Sequence, residues 1–175
     1  MGDIEYALTR KRVKNLNLHV RPPDGHVIVS APQRVSRETI DQFVLSRQNW
    51  IKDAQARIRS GPQAQAERAT PEEQREWLAV VKQATPMLVA KWEPRLGVKA
   101  GRIDYRNMKS RWGSCKPSTG RICINTRLCL YPPQCLEYIV VHELCHLRVA
   151  GHGPAFHALM DEALPTWREA KRLLS

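Results

Sequence analysis

Three of the chain's six histidines and one glutamate fall within a single short segment, VVHELCHLRVAGHGPAF at residues 140–156. His142 and His146 are four positions apart, which on a helix of about 100° per residue leaves them about 40° apart and one turn along the axis. Both imidazoles then reach a single ion at the usual nitrogen–metal distance of about 2.0–2.1 Å. Glu143 follows His142 directly, close enough to take a proton from water activated by the ion without itself being a ligand. This is the H-E-x-x-H arrangement of metal-dependent proteases. A catalytic zinc site keeps three protein ligands and leaves the fourth position to water. His152 is the first candidate for the third ligand, because Gly151 before it can adopt positive φ and turn the chain back. Glu162, and after it Glu169, is the alternative, in a two-histidine, one-carboxylate set. The spacing equals that of metzincins, but Val149 stands where their glycine belongs and no Met-turn is evident. His157 either lines the cleft or caps a surface helix. Cys145 packs beside the site as a small apolar side chain, and His19 and His26 read as surface residues.

The elements that must carry these groups follow from pattern. YPPQCLEYIVVHELCHLRV starts with prolines suited to a first helical turn and meets no breaker before Gly151, so the histidines lie near the end of a helix. A final helix, divided at Pro165, runs from about Pro154 to the end. Upstream, Ile103 to Tyr105 and Arg121 to Asn125 read as two strands separated by a loop. Thr70, Pro71 and Glu73 form a capping box for a second long helix, which Pro86 should kink or interrupt. Nearer the N-terminus, Leu16, Leu18 and Val20 alternate before a PPDG turn, with Val27 and Val29 beyond it, predicting a β-hairpin. A helix of about twenty residues follows, capped by Ser36 and carrying Ile40, Val44 and Ile51. The polar segment 60–69 reads as a linker, giving an N-terminal hairpin and helix extension over 1–60 and a catalytic domain over 71–175.

Composition narrows the setting. There are 28 basic and 17 acidic residues, a formal charge of +11, which suits polyanions or acidic substrates. No basic run is interleaved with stacking aromatics of the kind that grips single-stranded nucleic acid. No apolar run is long enough to span a membrane, and no secretory signal opens the chain, so a soluble cytoplasmic monomer is expected. The five cysteines form no C-x-x-C pair or regular framework and read as reduced thiols.

The segment RNMKSRWGSCKPSTGRICINTRLCLYPPQCLEYIVVHELCHLRVAGHGPAF resembles the YgjP-like metallopeptidase family, relatives of the SprT-like zinc proteases. The likeness rests on Arg111-Trp112-Gly113-Ser114-Cys115, on Ile124-Asn125, on His142, Glu143 and His146, and on His152 and Phe156. The hairpin, the SAP segment and the helix ending in Trp50-Ile51 also resemble that family. The resemblance implies an α+β, zincin-like domain of minigluzincin type, with the active-site helix under a small mixed sheet and His152 as third ligand. It also implies that the RWGSC loop and the RICIN strand border the cleft. Arg111, Ser114 and Asn125 are then candidates to brace ligands or stabilise developing negative charge, against a purely structural role in shaping the loop.

The first functional expectation is a zinc-dependent hydrolase of peptides or proteins, although histidine and carboxylate ligands also accept other divalent transition metals. A second is a phosphohydrolase, such as a nucleotide pyrophosphatase, drawing on Lys109, Arg111, Lys116 and Arg121 as a basic cleft. A third is a non-catalytic nucleic-acid-binding module with a closed four-ligand zinc site, against which the absence of paired cysteines speaks.

Overall fold

The computed structural model describes residues 4–22 and 24–175. It divides into two compact units, Met1–Arg68 and Ala69–Ser175.

In the first unit, strands β1 (Tyr6–Lys11), β2 (Asn17–Arg21) and β3 (His26–Pro32) form a sheet of order β1-β3-β2. β2 and β3 pair antiparallel, with Leu18 opposite Val29 and Val20 opposite Val27. Gly25, at φ 81°, donates its N–H to the Arg21 carbonyl in the turn between them. β1 lies parallel to β3 on its other side, a strand that alternation alone does not announce in YALTRK. Helices α1 (Arg37–Ser46) and α2 (Gln48–Ser60) supply Ile40, Val44 and Ile51 to the core beneath Val27, Val29 and Ala31. The single helix expected here is broken at Arg47. Residues 45–50 are all exposed, so no packing opposes the break, and Ser46 Oγ donates to the Phe43 carbonyl, competing with the helical ladder. The segment expected as linker holds helix α3 (Pro62–Arg68), which starts on a proline and buries Ala64 and Ala66.

The second unit opens with α4 (Pro71–Leu96). Thr70 Oγ1 accepts from the Glu73 N–H, while Glu73 accepts from the Thr70 N–H at 2.7 Å. The helix continues through both Pro86 and Pro94 to an αL cap at Gly97. An interior proline costs about 3 kcal/mol. Along one face Trp77, Val81, Trp92 and Leu96 are buried, each worth about 1.5–3 kcal/mol, so tertiary burial outweighs the defect.

After α4 come β4 (Arg102–Arg106), β5 (Gly113–Lys116), a 3₁₀ turn, β6 (Arg121–Asn125), a second 3₁₀ turn and α5 (Pro133–Cys145). The chain ends with α6 (Pro154–Ala163) and α7 (Trp167–Leu173), separated around Pro165. The sheet is mixed, in the order β4-β6-β5: β4 runs parallel and β5 antiparallel to the central β6. β5 was absent from the sequence expectation because GSCK has neither length nor alternation. Ile122 and Ile124 of β6 point into the same core as Leu136, Val140, Val141 and Leu144 of α5. α5 is apolar on most of its circumference because α4, the sheet, α6 and α7 all pack against it. Its position is therefore fixed from several sides. Among the described residues, no helix is long and apolar enough to cross a membrane, and no cysteine is disulfide-bonded.

Candidate metal centre

The last turn of α5 carries His142, Glu143 and, at its C-cap, His146. The chain then turns through Gly151, at φ 72°, and brings His152 back over the same spot before α6 begins. The three Nε2 atoms converge: His142 to His146 is 3.2 Å, His146 to His152 is 3.1 Å and His142 to His152 is 3.0 Å. Three nitrogens held tetrahedrally at the usual distance from one ion stand about 3.3 Å apart. The donor set and its spacing therefore fit a divalent ion. Among the described residues this is the group of histidine, cysteine and acidic side chains that could hold a metal, and neither Glu162 nor Glu169 belongs to it.

Several contacts fix the rings. His146 Nδ1 lies 3.2 Å from the Val149 carbonyl, which selects the tautomer with a bare Nε2. His142 Nδ1 is buried without a hydrogen-bond partner, so orientation of this ring rests on packing. Phe156, 1% exposed, supplies that packing from α6: its ring centroid lies 4.9, 4.5 and 5.0 Å from those of His142, His146 and His152. Tyr138, one turn before His142, meets it edge-on and stacks on Trp167. Burial, reinforced by the neighbouring His146 and His152, lowers the His142 pKa to about 3, and burial also lowers that of His146. Both rings are thus neutral, the state in which imidazole binds a metal.

Glu143 is 4% exposed. Burial raises its carboxyl pKa to about 8, and the positive charge of Arg111 pulls against that rise. Gly113 of β5 lies directly against the carboxylate, where a Cβ would come within 2.9 Å of Glu143 Cγ and Cδ. A cleft of about 260 Å³ opens here, bounded by Trp112, Tyr138, Ile139, Lys171 and Leu174 beside His142 and Glu143. Trp112 Nε1 donates to the Leu174 carbonyl at 3.3 Å and so joins the RWGSC loop to α7.

The other residues singled out in the sequence take different places. Asn125 is buried, and its amide is occupied with the loop: Nδ2 donates to the Met108 and Arg111 carbonyls, and Oδ1 accepts from the Met108 and Arg127 N–H groups. It braces the backbone leading into β5, and its polar atoms are not turned to the histidines. Ser114 faces the opposite side of the sheet from Gly113 and lines a separate basic cleft. Arg111 is exposed and acts on Glu143 through its field. His157 is exposed, stacked on Trp167 at 5.7 Å and outside the triad. Cys145 is completely buried in the core, and His26 is an exposed partner of Asp24. Tyr138 and Lys171 were not found from sequence, and Gly113 was named there as part of the RWGSC loop without its contact to Glu143. A glycine flanked by Trp and Ser signals a tight place but does not name its neighbour, and Tyr138 could have been noticed from its i−4 spacing to His142.

No curated protein matches the chain. Among solved structures, the metallopeptidase zymogen of Pyrococcus abyssi abylysin is similar at 22% identity, over 51% of this chain and 87% of that one, with a TM-score of 0.44. The family model described as YgjP-like, metallopeptidase domain, matches residues 14–79 and 67–175. Matched over nearly all its length, the chain belongs to the YgjP-like metallopeptidase-domain family.

Proposed function

We propose that this chain is a zinc-dependent peptidase in which His142, His146 and His152 hold the ion and Glu143 is the general base. The observation that carries the reading is the convergence of three Nε2 atoms within 3.2 Å, with a buried carboxylate on the adjoining residue. A bound zinc ion supplies Lewis-acid polarisation of the peptide carbonyl and makes water more acidic. Glu143 takes the proton from the attacking water and passes it to the departing amine. An ion held by the histidines would oppose the burial that raises the Glu143 pKa and favour the carboxylate, the form that accepts a proton. Lys171 and Tyr138 line the cleft where negative charge would develop. β5 is paired only with β6, so its outer edge offers backbone donors and acceptors to an extended peptide beginning next to Glu143.

The test is Glu143→Gln. Metal content should stay near one ion per chain while cleavage of unfolded casein falls about a thousandfold, the middle of the range for losing a general base. Wild-type turnover in the variant would remove Glu143 from this role. Loading with zinc, manganese, cobalt and nickel in parallel decides which ion supports activity. The phosphohydrolase reading draws support from the basic residues beside β5; release of phosphate from nucleoside triphosphates with no casein cleavage would replace the peptidase reading. The non-catalytic module needs a fourth side-chain ligand, and among the described residues the cluster holds three.

A further inference from the structure

Strand register sorts the side chains of the second sheet into two faces. Ile103, Tyr105, Cys115, Ile122 and Ile124 turn toward the core. On the outer face, Arg102, Arg121 and Lys116 form one row across the sheet, Asp104, Cys123 and Ser114 form the next, and Arg106 lies beyond them. Asp104 is the single acid of these rows. It is shared between Arg102 at 2.8 Å and Arg121 at 2.5 Å. Among the described residues, Arg106, Arg111 and Lys116 are in no ion pair.

A run of surface cations is ordinarily just a solvated face, and three features distinguish this one. The cations surround a cleft of about 360 Å³ that also exposes the Ser114 hydroxyl. The cleft lies over β5, one of the two edge strands of the sheet. Ser114 on its wall directly follows Gly113, which abuts the Glu143 side chain, so the cleft begins one residue along β5 from the proposed general base. A peptide paired with β5 alternates its side chains between the two faces of the extended sheet, at about 3.3 Å per residue. Every second side chain would then lie on the outer face beside Lys116 and Arg111, with Arg106, across β6 on β4, at the far wall of the cleft.

We propose that the outer-face cleft formed by Arg106, Arg111, Ser114 and Lys116 selects peptide substrates with acidic side chains at alternate positions along the strand bound to β5. This inference rests on the peptidase reading and adds the substrate class. Arg106 and Lys116 sit at opposite ends of the strand register, since Lys116 pairs with Arg121 and Arg106 with Asn125. They therefore govern different positions of the substrate.

The test uses the metal-loaded full chain and peptides of one parent sequence in which single positions carry Glu, Gln or Lys. Relative kcat/KM should favour Glu over Gln by about two- to fivefold at the responsive positions, the range expected for partly exposed charge pairs, and should disfavour Lys. Lys116→Glu should reverse the preference at one position and Arg106→Glu at another, while Lys116→Gln flattens the first without reversing it. Equal cleavage of all three peptide types, or charge reversals that leave the ratios unchanged, would overturn the selectivity while leaving the peptidase intact. If no peptide is cut, the peptidase reading falls and this inference falls with it. Salt-sensitive binding of single-stranded DNA that Lys116→Glu abolishes, alongside flat peptide selectivity, would assign the cleft to nucleic acid instead.

Discussion

Gly113 on β5 and Glu143 on α5 occupy touching positions: a methyl group added at residue 113 would lie 2.9 Å from both Cγ and Cδ of the glutamate. The sheet and the helix meet at the carboxylate itself. The requirement at 113 is one of space, because this glycine is not among those with positive φ.

Gly113→Ala should therefore act on catalysis through the position of Glu143. Either β5 retreats or the carboxylate swings aside. Overpacking of this kind costs about 1–3 kcal/mol of stability, and a misplacement of about 1 Å can cost about a hundredfold in rate. Metal stoichiometry should stay at the wild-type value while kcat/KM falls by about two orders of magnitude. A variant with full activity would mean that the carboxylate has room the structure does not give it.

Phe156 touches all three imidazoles and is 1% exposed. Phe156→Ala should lower the urea midpoint by an amount equivalent to about 3–5 kcal/mol. It should also shrink the rise in melting temperature produced by added zinc, because the rings lose the surface that orients them. Phe156→Leu should recover most of both. Zinc stabilisation of the Ala variant as large as that of the wild type would show that the backbone alone sets the rings.

Glu137 ties α5 to α4: Lys91 Nζ donates to its carboxylate at 2.6 Å and Trp92 Nε1 at 2.9 Å. Desolvation pushes this carboxyl's pKa up, but the Lys91 and Trp92 hydrogen bonds, with the positive charges of Lys91 and Arg95, together hold the value below the usual 4.5. A depressed folded-state pKa contributes stability that is fully present above the unfolded value and is lost as pH falls through the folded one. Glu137→Gln keeps an acceptor for Trp92 and removes the charge facing Lys91. The wild type should exceed the variant by about 1 kcal/mol at pH 6 to 7, a modest figure because Lys91 is partly exposed, and the gap should close as pH falls below about 4. Urea melts at a series of pH values measure it; a gap that is constant with pH would contradict the linkage.

How much of this was legible beforehand depends on the range over which each feature is determined. The shared face of His142 and His146 follows from four-residue spacing on a helix, and the capping box at Thr70 and the bend at Gly151 are equally local. Of the kink or interruption expected at Pro86, the interruption is absent, because the forces that keep α4 continuous come from neighbours far along the chain. The break at Arg47 and the helix over Pro62–Arg68 went unseen for a related reason: these stretches are polar, with little apolar periodicity to read. β5 is the instructive omission. Its four residues carry no pattern, its place is set by pairing with β6, and its importance comes from the helix that Gly113 abuts. Asn125 was singled out by residue type, yet its partners are loop carbonyls and N–H groups that no spacing rule supplies.

The free margin of β5 also bears on how molecules of this protein meet one another. An unpaired strand is an open invitation to fibril-like stacking with an identical neighbour. Here the strand is only four residues long, ends on Lys116 and is backed by Arg121 and Arg102, so two such margins brought together would crowd like charges at the contact. The same cations that would welcome a negatively charged guest would oppose adhesion of sister molecules, and neutralising them should make the protein harder to keep dispersed.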